Sequence, residues 1–192
     1  AAGLAGVAAL LLGNGGDPVA LIYFSVQSNA LLAAVHLASA AAPGRIPPAA
    51  RGGATLYLLI TGSVYHLVLV NPASPFFVGA ANQGSARSLL LHTVAPLLAL
   101  AEWLLVTGRE GRHPWSAAVR WLSYPLAYFA FVLVWGGTGR GYPYPFVDAD
   151  RLGYGTVAVN AAVLTAVFYV LGLALLGAGR ASRAALARLT IS

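Results

Sequence analysis

Residues 152–179 read LGYGTVAVNAAVLTAVFYVLGLALLGAG, and none of them is charged. As an α-helix this run is about 42 Å long, more than the roughly 30 Å hydrocarbon core of a bilayer. Its apolar residues do not alternate with polar ones, as the strands of a membrane barrel require. Without water, a backbone must satisfy its hydrogen bonds internally, so the run is predicted to be a membrane-spanning helix. Further charge-free runs cover 18–44, 52–86 and 121–139, and 88–107 holds only Glu102. Asn71, Pro72, Pro75 and Asn82 mark the second half of 52–86 as loop. Helices are therefore predicted near 1–12, 18–42, 54–70, 87–107, 115–136 and 153–178. The first is too short to cross and reads as the end of a longer helix. The expectation is an all-α polytopic membrane bundle of six transmembrane helices, the first truncated. Residues 1–192 form one transmembrane domain, because no gap exceeds about 20 residues.

Composition points the same way. The chain is 59% hydrophobic and 8% charged, whereas soluble domains carry about 25% charged residues. A core of this size could not hide so much apolar surface from water. A soluble globular protein, a disordered tail and a nucleic-acid binder are excluded. There is no Cys and no Met, which removes disulfides, thiolate nucleophiles and Cys-held metals. Ala1 stands where a Met would, which reads as a trimmed N-terminus, and no basic run with a cleavage motif marks a signal peptide. All basic residues are Arg. With the Ala and Gly excess this suggests a GC-rich bacterium, and hence its plasma membrane. Arg45, Arg51, Arg109, Arg112, Arg120, Arg180, Arg183 and Arg188 fall on one side of the predicted topology; Arg87, Arg140 and Arg151 fall on the other. The richer side is expected in the cytoplasm, with both termini. The Arg-rich tail is read as an anchor at anionic headgroups.

Polar groups inside a membrane are costly and mark candidate sites. At 1.5 Å per residue, Ser25 and Asn160 lie about 10 Å below the outer surface, His92 about 8 Å and His66 about 6 Å. Four helices thus bring polar side chains to one layer. Ser25, Asn29 and His36 share a helical stripe, widened by Gln27 and Ser28. Pro96 follows His92 by four residues and deprives its carbonyl of a helical partner. A hydroxyl becomes a nucleophile when a base takes its proton, and neutral His is the usual base. Ser25 with His92 meets that need, with His66 as alternative base or substrate-orienting group. Asn29 is expected to donate to an oxyanion, and Asn160 or Asp148 to hold the imidazole tautomer. The loop Gly139–Asp148 reads either as an interfacial aromatic segment or as a lid, with Tyr144 in it and Asp148 pointing inward. Glu102 is expected to pair with Arg109, Arg112 or Arg120, His36 to be structural, and His113 to be solvated. No GxSxG, HExxH or Walker motif is present.

Three ordered blocks carry a family resemblance: Tyr23-Phe24-Ser25-Val26-Gln27-Ser28-Asn29, His92-Thr93-Val94-Ala95-Pro96 through Glu102-Trp103, and Tyr144-Pro145-Phe146-Val147-Asp148. With their helices they cover about a third of the chain. The sequence resembles the androgen-induced membrane protein family and its bacterial six-span relatives. The resemblance implies an intramembrane hydrolase of fatty acid esters of hydroxy fatty acids that uses a Thr nucleophile and a His base, with no metal and no cofactor. The Thr position falls on Ser25 and the His position on His92. Ser in place of Thr keeps the hydroxyl and loses the methyl that stiffens χ1. Pro96 also lies one residue closer to the His than in the animal proteins.

The implied partners are a lipid or fatty acid ester substrate and membrane lipids. Three other readings stay open. One is a lipid or small-molecule binder without turnover. A second is a bis-His haem b carrier through His66 and His92. The third is a zinc site built from His66, His92 and Asp148.

Overall fold

The computed structural model describes residues 18–79, 84–106, 108 and 113–189. Among these residues the chain is helical, without strands. A 3₁₀ turn, Pro18–Ile22, precedes α1, Phe24–Ala41. The remaining helices are α2 (Pro48–Leu69), α3 (Ala86–Leu105), α4 (Ala117–Arg140) and α5 (Ala149–Leu189). These four are long and apolar enough to cross a membrane, which is the architecture of an integral membrane protein. The helix expected at 1–12 lies outside the described residues.

α2 is the hub and touches α1, α3, α4 and α5. Leu56, Leu58 and Ile60 are buried on successive faces, as a helix surrounded by others requires. Lipid is as apolar as Leu, so close approach of backbones holds such a bundle together. Gly52 of α2 lies under the rings of Trp103 and Trp121, and Gly62 lies against the His92 carbonyl and Pro96 of α3. Trp103 is fully buried and donates Nε1–H to the Leu175 carbonyl of α5 at 2.8 Å. Trp121 does the same to Ala49 at 2.8 Å.

The helix bounds differ from the expected ones for physical reasons. The run 18–42 breaks at Tyr23, whose backbone is extended. The Tyr128 phenol of α4 spans that break, donating to the Ile22 carbonyl at 2.8 Å and accepting from Phe24 N–H at 3.2 Å. α2 starts six residues early because Pro48 is preset for the first helical turn. Asp148 starts α5 early: its Oδ1 accepts the Arg151 N–H at 3.0 Å. Asp148 thus caps α5, and it is not among the residues lining the cavity described below. α5 also continues past the predicted end, because Arg180 and Arg183 bind the carbonyls of His113 and Gly108. His113 is buried beside Trp103, ring centroids 4.9 Å apart, and is not solvated as expected.

α2, α3 and α4 each contain a π-turn, at Tyr65–Leu69, Leu90–Val94 and Gly136–Arg140. In α3 the turn lies just before Pro96, whose missing N–H interrupts the α ladder. All three turns sit at the end of the bundle where residues 141–148 cross as a strap. Gly141 opens this strap with φ of +77°, and Gly153, with φ of +75°, kinks the first turn of α5 just after it, a conformation that costs other residues energy.

Candidate functional site

Under the strap lies a cavity of about 820 Å³, its open mouth included. Most of the wall is apolar. On α4 it runs from Leu122 to Val132, about 15 Å along the axis, opposite Ala161–Phe168 of α5. Thr61 and Thr165 also line it, but their hydroxyls bond back to the carbonyls of Tyr57 and Ala161. Reactive polarity is therefore concentrated at the strap end, in Ser25, Tyr65, His92, Tyr128 and Tyr144.

The break at Tyr23 makes Ser25 the second residue of α1. The first N–H groups of a helix have no partner within it. Those of Val26 and Gln27 turn back to the Tyr23 carbonyl, both at 3.1 Å. Phe24 N–H goes to Tyr128, and Tyr144 lines the same cavity as Ser25. The Ser25 hydroxyl is thus held at the positive end of a helix, where developing negative charge is favoured. Loss of water around Tyr144 pushes its phenol up to about 12, so it stays neutral at ordinary pH.

His92 lies on the π-turn of α3. Its Nδ1 faces the Ser88 carbonyl at 3.0 Å and Ser88 Oγ at 3.3 Å. A carbonyl only accepts, so Nδ1 carries the hydrogen and Nε2 keeps a lone pair. That nitrogen can accept a proton from a hydroxyl. The Tyr65 ring stacks on the imidazole, with centroids 4.0 Å apart and planes 11° apart.

Ser25 and His92 line the same cavity but do not hydrogen-bond to each other. Asn29 ties their helices together. Its Nδ2 donates to the Ser25 carbonyl at 2.8 Å and to the Leu91 carbonyl, next to His92, at 3.5 Å. Asn29 is therefore a helix tie, with its donors committed to the backbone rather than free for an oxyanion.

The other sequence-predicted residues divide. Gln27 donates to Leu21 at 2.7 Å and accepts from Tyr124 at 3.1 Å, bracing the start of α1. Asn160 donates to the Phe146 carbonyl at 2.9 Å, pinning the strap rather than holding an imidazole. Tyr144 lines the cavity as the lid reading requires. His66 does not line it; its Nε2 meets Thr93 Oγ1 at 2.9 Å. At the opposite end, Glu102 meets His36 Nε2 at 2.5 Å, a partner the expected Arg pairing did not include. Tyr128, Tyr65 and Ser88 were missed. Two carried a signal: Ser88 precedes His92 by one helical turn, and Tyr65 borders the helix face that holds Gly62 and His66.

The donor set bears on the metal and haem readings. His66 is engaged with Thr93 outside the cavity, and Asp148 caps α5. Among the described residues no three His, Asp or Glu side chains converge as a metal-binding group. No family model, no curated protein and no solved structure matches the chain.

Proposed function

We propose that this chain is an intramembrane hydrolase of lipid esters, with Ser25 as nucleophile and His92 as base. The reading is supported above all by one observation: a half-open apolar cavity lined at one end by a hydroxyl in the first turn of a helix and by an imidazole whose Nδ1 is committed to a backbone carbonyl. The resemblance of the three sequence blocks to the androgen-induced membrane protein family points the same way. An ester enters between α4 and α5 and lays its chain along their apolar walls. His92 Nε2 takes the Ser25 proton as Oγ bonds to the carbonyl carbon. The carbonyl oxygen, now negative, lies near the positive end of α1 and the strap phenols. The ester C–O bond breaks, and the leaving alkoxide takes the proton from His92. Water then attacks the acyl-enzyme, again giving its proton to His92, and the free acid departs as Ser25 recovers its hydrogen.

The same proposal includes a six-span topology, with α1 and a helix before it completing the count. It puts the strap end outside a bacterial plasma membrane and the Arg-rich end in the cytoplasm. The test is turnover of a fluorogenic acyl ester by the full chain in detergent. Ser25→Ala and His92→Ala should each remove activity by about a hundredfold or more. Undiminished turnover in either removes the assignment. One observation favours a second reading, a lipid binder without turnover: Ser25 and His92 share the cavity wall without a hydrogen bond between them. That reading predicts a bound ligand recovered unchanged.

A further inference from the structure

The orientation of His92 is built in two steps from residues outside any recognised motif. Ser85 caps α3, its Oγ accepting the Ser88 N–H at 3.1 Å, so the Ser88 backbone is fixed at the helix entrance. Ser88 then presents two acceptors to His92 Nδ1, its carbonyl at 3.0 Å and its hydroxyl at 3.3 Å. The hydroxyl can accept there because its own hydrogen is directed elsewhere, to the Tyr65 phenol at 2.7 Å. Tyr65 lies flat on the imidazole, so the ring cannot turn about its χ2 axis without displacing the phenol that Ser88 holds. The two π-turns make this possible: one carries Tyr65, the other His92, and α2 and α3 close on each other at Gly62.

We propose that Ser88 and Tyr65 are positioning residues that lock His92 as the Nδ1–H tautomer with Nε2 free toward the cavity. Serine, phenol and backbone carbonyl do together what a carboxylate does for the histidine of a serine hydrolase. The proposal rests on the hydrolase reading for its consequence, but its structural content is measured separately. Without the hydroxyl and the stacked phenol only the Ser88 carbonyl holds Nδ1–H, so turned rings and the Nε2–H form gain population, and the ring spends part of its time with no base facing Ser25.

The test uses the full chain in detergent micelles, labelled with ¹⁵N at histidine and assigned by the signal lost in His92→Gln. In the wild type, His92 should show a protonated Nδ1 and an unprotonated Nε2. In Tyr65→Phe and in Ser88→Ala the Nε2–H form should grow. The kcat for ester turnover should fall about ten- to hundredfold with KM within about twofold. Ser88→Thr, which restores a hydroxyl, should recover both. A wild-type His92 protonated at Nε2 overturns the proposal. So does an unchanged tautomer with unchanged kcat in both variants. If Ser88→Ala does not fold, Tyr65→Phe decides alone, since it keeps the stacked ring. If the wild type hydrolyses nothing, a tautomer shift in the variants still supports the lock while ending the hydrolase reading.

Discussion

Gly62 offers a way to move the base without touching it. A Cβ at this position would lie 3.0 Å from the His92 carbonyl oxygen and 3.3 Å from two carbons of Pro96. None of these is the end of a flexible side chain: one belongs to the backbone and the others to a ring closed on it. In Gly62→Ala, α3 must retreat by a few tenths of an ångström at His92. Overpacking of this kind costs about 1–3 kcal/mol, while replacing Gly by Ala inside a helix returns about 1 kcal/mol. The net loss of stability is therefore small, about 0–2 kcal/mol. Activity should respond more strongly: a misplacement of about 1 Å costs about a hundredfold, so a few tenths of an ångström should lower kcat roughly several-fold. Gly52→Ala is the contrast. Its Cβ would lie 2.5 Å from Trp121 and 2.7 Å from Trp103, rings packed at the far end of the bundle. It should unfold the protein more readily while leaving the kcat of the folded fraction near wild type. The assay is thermal unfolding in detergent beside ester turnover corrected for folded protein. If Gly62→Ala keeps full kcat, or Gly52→Ala loses kcat while stable, the close approach of α2 to α3 does not set the position of His92.

Three further outcomes are expected. Tyr128→Phe removes the hydroxyl that bridges Ile22 and Phe24, so it should cost about 1–2 kcal/mol in unfolding experiments and lower kcat by loosening Ser25. Tyr144 titrates well above its ordinary value of 10 when folded, so its neutral form is the stabilising one. The contribution is intact below pH 10 and is lost as pH rises toward 12. Wild-type stability should therefore fall more steeply from pH 10 to 12 than that of Tyr144→Phe. His36→Ala removes the ring that meets Glu102 at the opposite end. It should lower the melting temperature and leave kcat within about twofold.

The elements legible in the sequence are those decided by local composition. Residues 152–179 and 121–139 form helices because nothing charged interrupts them and an apolar surrounding leaves a backbone to satisfy its own hydrogen bonds. Pro96 marks the π-turn at His92 for a similar local reason. What escaped the reading depends on residues far away in the chain. The break before Ser25 is held by Tyr128, more than a hundred positions later, and no pattern near Tyr23 announces it. Asn29 and Asn160 were expected near the site, yet their amides serve carbonyls, of Ser25 and Leu91 and of Phe146, and the last two are brought near only by the packed bundle. Asp148 was legible as a polar residue before an apolar run. Its capping of α5 is the local role that such a position favours over a reach into the cavity. His113 is buried because Trp103 and Arg180 converge on it from α3 and α5, a contact with no trace in its own neighbourhood.

The most direct measurement is covalent labelling of the purified full chain by a fluorophosphonate, with the modified peptide read by mass spectrometry. A hydroxyl activated as described should carry the phosphonate on Ser25. The label should vanish in Ser25→Ala and be strongly suppressed in His92→Gln. A label on another serine, or equal labelling when the imidazole is gone, would contradict the pairing of Ser25 with His92.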